Sequence, residues 1–221
     1  MATYLIEYPQ RVGCMAKLRD LKEACVLEAL AIVASDGVEK LSLREVARRL
    51  GVSHQAPYRH FASRDHLLAE IVSRAFRSFA DVLTEATRDD DPQIALAEMG
   101  IAYLDYARRE PLAYRLMFGT LLPDVQTHPA MMAEARHAFD LLLNALAKRK
   151  KARAMPTDVF ARGSDEDLAM MRDAIFIWST LHGFASIQAS SAVETLGLPA
   201  NLMDNMFEEL LTRIRGGFEA T

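Results

Sequence analysis

Residues 41–67 read LSLREVARRLGVSHQAPYRHFASRDHL, and this stretch decides the fold because it carries the start and stop signals of two short helices. Ser42 is a typical N-cap, and Glu45 three residues later completes the pattern of a capping box. Gly51 ends that helix, since glycine adopts the left-handed backbone that closes a helix at no steric cost. Ser53 then caps a second helix. The stretch therefore predicts a helix-turn-helix.

The second helix, which we expect to run to about Phe61, carries side chains suited to DNA. Residues 40–64 contain six basic side chains and one acidic side chain, although the whole chain has a net charge of -4. Such a concentration of positive charge indicates a surface for a polyanion, and the second helix of this motif can lie in the major groove. The side chains able to bind base edges or phosphates on this helix are His54, Gln55, Tyr58, Arg59 and His60, and Ser53 at its start is a predicted DNA contact as well.

The motif resembles the DNA-binding domain of the TetR family of bacterial transcriptional regulators, and the resemblance covers roughly residues 20–75. It rests on a Gly-Val-Ser turn, a tyrosine, a His-Phe pair and a basic residue three positions later, which here are Gly51, Val52, Ser53, Tyr58, His60, Phe61 and Arg64. By similarity, the residues that would bind phosphates are Ser42, Tyr58, His60 and Arg64. Those that would face bases are Arg44, His54, Gln55 and Ala56.

One position departs from the family pattern. Many members carry Gly-Thr-Leu before the tyrosine, whereas this chain has Gln55, Ala56 and Pro57. Proline has no amide hydrogen, so at the fourth position of a helix it removes the first internal hydrogen bond. We therefore expect the recognition helix to begin late or to bend.

The rest of the chain predicts an all-α fold with a division of labour. Helical periodicity, separated by prolines, extends over residues 63–87, 93–109, 111–119, 129–149, 165–191 and 200–216. We predict a flexible N-terminal arm (1–19), a helix-turn-helix DNA-binding domain (20–75) and a helical effector-binding and dimerisation domain (76–221). The first 75 residues have a net charge of +2 and the remainder -6, so only the N-terminal part suits DNA. Whether the arm also touches DNA stays open.

The last two helices predict a homodimer. The chain from Ala174 to Ile187 is apolar on nearly every side, which requires neighbours on both faces, and the final helix is also rich in apolar residues. The pair would form a four-helix bundle with its copy, and a symmetric dimer would read a roughly palindromic operator in double-stranded DNA. The predicted interface residues are Ile177, Phe184, Ile187, Met203, Met206, Phe207, Leu210 and Ile214.

The sequence WSTLHGF at residues 178–184 resembles a Trp-x-x-x-His-Gly signature of one subgroup of the family's C-terminal domains. Trp178 and His182 lie four residues apart, on one helical face, and would line a cavity for a small, largely apolar effector. The other predicted lining residues are Tyr103, Tyr114, Met117, Phe118, Phe139, Leu143 and Met171. Two alternatives stay open: these side chains are simply core, or a protein partner controls the regulator instead of a small molecule.

Other classes of protein have weaker support. Glu134, His137 and Asp140 resemble half of a di-iron site, but the sequence has no second such motif, so a helix-bundle metalloenzyme is a remote alternative and we expect no enzyme and no cofactor. Cys14 and Cys25 form no metal or disulfide pattern. Without a membrane-length apolar run or a secretory signal, we expect the cytoplasm. The sequence predicts a repressor released from its operator by an effector.

Overall fold

The computed structural model describes residues 20–119, 122–150, 164–203 and 205–219, so the predicted arm lies outside the described residues. In these ranges the regular elements are all helical, which confirms the all-α prediction. The α-helices are α1 (Leu21–Asp36), α2 (Leu43–Leu50), α3 (Arg64–Ala86), α4 (Pro92–Arg109), α5 (Pro111–Phe118), α6 (Pro129–Arg149), α7 (Asp165–Gln188), α8 (Ala192–Thr195) and α9 (Met206–Glu219). Short 3-10 helices occupy Val38–Lys40, Pro57–Arg59 and Ala200–Met203. None of the described helices is long and apolar enough to cross a membrane.

Two compact units divide the chain. Of the described residues, the first unit combines those up to Ser78 with those within 112–135, and the second combines Phe79–Pro111 with those from Arg136 onward. The sequence had grouped everything after residue 75, and the contacts of the first unit show why α5 and the start of α6 separate from that group. The rings of Phe76 and Phe118 meet edge to face at 5.9 Å.

The first unit has its core between α1, α2 and the start of α3. The Asp20 side chain accepts a hydrogen bond from the Glu23 amide at 3.2 Å, which caps α1. One face of α1 is buried, and α1 packs against α2. The buried α1 residues are Cys25, Val26, Ala29, Leu30, Ile32 and Val33.

The second unit is built around α4 and α7, which pack against each other. The ring of Phe79 lies edge to face with Tyr103 at 5.3 Å and with Tyr106 at 5.1 Å. At its start, α7 has a full capping box between Ser164 and Asp167.

Candidate nucleic-acid interface

Helix α2 begins and ends where the sequence predicted. The Ser42 Oγ accepts a hydrogen bond from the Glu45 amide at 3.1 Å. Gly51 closes the helix with φ 69° and ψ 30°, a left-handed conformation that favours glycine. Buried side chains on one face of α2, namely Leu43, Val46 and Ala47, hold it in the first unit. The first half of the predicted motif is thus confirmed.

The acidic half of the predicted capping box is wrong. The Glu45 carboxylate accepts hydrogen bonds from Arg48 Nε at 2.8 Å and from Arg49 Nε at 2.9 Å. These charge-assisted bonds are stronger than one to a neutral backbone amide. They lower the pKa of Glu45 to about 2, and Arg49 also pairs with Asp36. Arg48 and Arg49 are therefore already paired within the protein.

The predicted recognition helix is shorter than expected and does not begin at Ser53. A turn over residues 54–56 leads into the 3-10 helix Pro57–Arg59, which has Ala56 at its cap and no side-chain cap. The Ala56 amide donates to the Ser53 carbonyl at 2.9 Å, and the His60 amide to the Pro57 carbonyl at 3.0 Å. An α-helix capped at Ser53 would need the amide of residue 57 to donate a hydrogen bond to the Ser53 carbonyl. Pro57 has no amide hydrogen and cannot form this bond. The expected late start is confirmed, and the cap at Ser53 is wrong.

The side chains of this segment divide cleanly between inside and outside. Pro57 is buried and Phe61 is 3% exposed, so the two anchor the segment. Ala56 and Ser42 are half-buried. Seven of the ten predicted DNA contacts are exposed, namely Arg44, Ser53, His54, Gln55, Tyr58, Arg59 and His60. We call residues 53–60 the reading segment.

Arg44 and Arg59 differ from the paired arginines of α2. Both are exposed, and within the described part of the chain neither side chain has a hydrogen bond or an ion pair. An arginine that holds no protein partner keeps its full set of donors for a ligand. These two cations are the strongest candidates for phosphate or base contacts.

Arg64 has contacts that the sequence did not indicate. Its guanidinium donates from Nε to the Leu41 carbonyl at 3.1 Å and from Nη2 to the Val38 carbonyl at 2.8 Å. It also donates from Nη1 to Asp65 at 3.0 Å. Arg64 therefore fastens the start of α3 to the chain that enters α2. The Ser63 Oγ caps α3, since it accepts a hydrogen bond from the His66 amide at 3.3 Å.

The predicted effector residues fall in both units. Tyr114, Met117 and Phe118 belong to the first unit. In the second unit, the Tyr103 hydroxyl lies 3.4 Å from Nδ1 of His182. The ring of Trp178 lies 6.0 Å from that of Phe139 and 6.4 Å from that of His182, whose pKa is lowered by burial. The structure thus brings together these four side chains, and it also places Leu143 and Met171 in this unit.

The predicted dimer residues divide in a similar way. Ile177, Phe184 and Ile214 are buried within the chain itself, so they are core residues and not a surface. Ile187 is 49% exposed, as an interface residue would be in a single subunit. Met206, Phe207 and Leu210 are half-buried, and the side chain of Met203 lies outside the described residues. The sequence missed other exposed apolar residues on α7, namely Leu168, Ile175 and Phe176.

The three residues of the metal alternative, Glu134, His137 and Asp140, are not arranged as a metal site. The Glu134 carboxylate forms an ion pair with Arg77, and His137 is exposed. Asp140 is half-buried, and the loss of hydration raises its pKa. Across the described ranges, no group of three or more histidine, cysteine or acidic side chains is placed to hold a metal ion.

Solved structures share this fold. A protein described as regulatory, SCO4313, superposes with a TM-score of 0.70 at 25% sequence identity, over 93% of this chain and 100% of that chain. The SmeT–triclosan complex superposes with a TM-score of 0.52 at 22% identity, over 86% of this chain and 88% of that chain, which shows likeness of fold alone.

Curated relatives and family models agree with the structures. The HTH-type transcriptional regulator Mb1846 of Mycobacterium bovis is 33% identical over 127 residues, which are 54% of this chain and 53% of that protein. The matched part thus spans about half the length of this curated relative. The family described as bacterial regulatory proteins, tetR family, matches residues 27–71, which contain the helix-turn-helix. The tetracyclin repressor-like C-terminal domain matches residues 96–214. Since that second match alone covers more than half of the chain, the protein belongs to the TetR family of transcriptional regulators.

Proposed function

We propose that this protein is a homodimeric transcriptional repressor that binds a roughly palindromic operator and leaves it when a small molecule binds. The observation that carries the proposal is the reading segment with its neighbour Arg44. The reading segment and Arg44 offer exposed hydrogen-bond donors and acceptors. The other two arginines of α2, Arg48 and Arg49, are paired with Glu45. TetR-family members are DNA-binding regulators and not enzymes, so we withdraw the metalloenzyme alternative. An operator-binding protein acts in the cytoplasm of a bacterium.

The exposed apolar face of α7 supports the dimer. Phe176 is 51% exposed, Ile175 49% and Ile187 49%, on a helix that is buried on its other side. Large exposed apolar side chains on one helical face are typical of an interface between subunits. A second copy covering this face would present two reading segments, about 34–36 Å apart if they enter successive major grooves.

The aromatic group in the second unit supports a small-molecule effector. Tyr103 and His182 place two polar tips among the rings of Phe139 and Trp178. An apolar ligand with one hydrogen-bonding group suits such surroundings, and the structural neighbour SmeT binds triclosan. A ligand that prefers the conformer with wrongly spaced reading segments lowers DNA affinity, and DNA weakens ligand binding by the same factor.

Selection of binding sites from random DNA by the purified full chain tests the proposal. We expect an enriched motif of two inverted half-sites, and sedimentation of two chains with each duplex. Arg44→Gln should weaken binding, whereas Arg88→Gln, at an exposed arginine of the second unit, is the matched control. Failure to enrich any motif at modest ionic strength would sink the proposal.

A thermal-shift screen against metabolites separates the two modes of control. Stabilisation by an apolar compound, lost in His182→Ala, is the expected result. Consistent absence of stabilisation would favour control by a protein partner.

A further inference from the structure

The first unit contains a cleft whose lining residues all belong to that unit. Its volume is about 340 Å³, close to the lower end of the range for small-molecule sites, which is roughly 300–1,000 Å³. The lining comes from the end of α1 and the following turn, from α3, and from the end of α5. A cleft of this size suits a compact molecule rather than a drug-sized one.

The floor of the cleft is aliphatic. Val33, Leu68 and Val72 are at most 1% exposed, and Leu116 is 8% exposed. Gly119 contributes backbone to the wall of the cleft. A side chain does not fit at this position, because a Cβ would lie 2.6 Å from the Arg115 carbonyl oxygen. An occupant would therefore place an aliphatic body against this floor.

Two opposite charges line the same cleft. Arg115 and Glu39 are both exposed, and within the described ranges neither side chain forms a hydrogen bond or an ion pair. A lone carboxylate would meet Arg115 favourably but would be repelled by Glu39. A lone ammonium group would meet the reverse problem. A molecule that carries both groups satisfies both side chains.

We propose that this cleft binds an aliphatic zwitterion, the chemistry of an amino acid such as leucine. The ligand carboxylate pairs with Arg115, the ammonium group pairs with Glu39, and the branched side chain packs on the valine and leucine floor. Nothing in this assignment depends on the effector site or on DNA binding.

The cleft adjoins the contacts that position the DNA-binding helices. Val38 lines it, and the Val38 carbonyl accepts the 2.8 Å hydrogen bond from Arg64. Gly37 also lines it, and the neighbouring Asp36 pairs with Arg49 of α2. An occupant that shifts this turn changes how α2 and the reading segment are held. This second step rests on the DNA binding proposed above.

Calorimetric titration of the full chain without DNA tests the site. L-Leucine is the probe, with 4-methylpentanoate (no ammonium group) and 3-methylbutylamine (no carboxylate) as its matched analogues. We expect leucine to bind at least tenfold more tightly than either analogue. Arg115→Gln and Glu39→Gln should each weaken leucine binding by about tenfold or more. Arg115→Lys should retain part of the affinity, and Arg88→Gln should not change it. Circular dichroism of each variant verifies that it is folded.

Two results would overturn the site: no binding of leucine at millimolar concentration, or equal binding by wild type, Arg115→Gln and Glu39→Gln. The coupling has a separate readout, the DNA affinity measured by anisotropy with and without leucine, for which we expect a severalfold change. Leucine binding without that change would overturn the coupling and support the site. A chain that binds leucine but no DNA would instead reject the proposed function.

Discussion

Helix α2 and the reading segment stand on either side of one glycine turn, yet they use their polar side chains differently. In α2, the Glu45 carboxylate holds Arg48 and Arg49. In the reading segment, the exposed side chains of Gln55 and Arg59 hold no protein partner among the described residues. The first arrangement stabilises a fold, and the second leaves donors and acceptors for a ligand. Counting charged residues in the sequence therefore locates the basic region. The ion pairs in the structure then show which of its charges remain available to a ligand.

Arg64 fastens the start of α3, which follows the reading segment, to the chain that enters α2, and its removal should have the largest effect. We expect Arg64→Gln and Arg64→Lys each to destabilise α2 by about 2 kcal/mol, because lysine keeps the charge but cannot span the carbonyls of Val38 and Leu41. Hydrogen exchange of the α2 amides should be faster by about 30-fold in both variants.

Full protection in Arg64→Lys would show that only the charge of Arg64 matters, as a phosphate contact requires. The salt dependence of DNA binding is the second readout. A positioning role leaves its slope nearly unchanged in Arg64→Lys, while loss of affinity remains.

The next largest effect separates free arginines from paired ones. Arg59→Gln should weaken DNA binding by about tenfold, since each such contact contributes about 1–3 kcal/mol. Arg48→Gln, which removes an arginine already bound to Glu45, should weaken it by less than about threefold. Anisotropy titrations with one operator at constant salt provide the measurement. Equal losses in the two variants would erase the distinction between the regions.

A matched pair of serines tests the backbone of the two regions. Ser42→Ala should lower the free energy of unfolding by about 1 kcal/mol, because the Ser42 Oγ caps α2. Ser53→Ala should change it by less than about 0.5 kcal/mol, because no side chain caps the 3-10 helix that follows. Thermal unfolding followed by circular dichroism compares them. A larger loss in Ser53→Ala would restore the cap predicted from the sequence.

The smallest effect is a pH dependence confined to α2. The pKa of Glu45 is lowered to about 2 from 4.5, so its stabilising contribution is present above pH 4.5 and is lost as the pH falls through about 2. Glu45→Gln should therefore unfold at a lower temperature than wild type at neutral pH, and this difference should shrink below pH 4.5. A difference that stays constant down to pH 2 would argue against the paired carboxylate.

Local signals were the part of the fold that the sequence predicted well. Ser42 and Gly51 act on residues within one helical turn, so their spacing alone locates the ends of α2. Pro57 acts through its missing amide hydrogen, and the late start of the recognition helix could be predicted from this position alone. These effects need no knowledge of tertiary contacts.

Tertiary partners were the part that the sequence could not supply. Arg64 bonds carbonyls 23 and 26 residues earlier, and carbonyls carry no sequence signal because every residue has one. Helix α7 carries apolar side chains on nearly all of its faces, so the periodicity of the sequence could not distinguish buried Ile177 from exposed Phe176. Arg115 and Glu39 are distant in sequence, and their charges line the same cleft only in the folded chain.

The most direct test of the reading segment is a parallel selection from random DNA with wild type, Gln55→Ala and Arg48→Ala. An amide that reads a base edge specifies sequence, whereas an arginine paired within α2 does not. We predict that Gln55→Ala alters the preferred base at one position of each half-site, and that Arg48→Ala selects the wild-type motif. An unchanged motif for Gln55→Ala, with equal loss of affinity on specific and random DNA, would contradict the account.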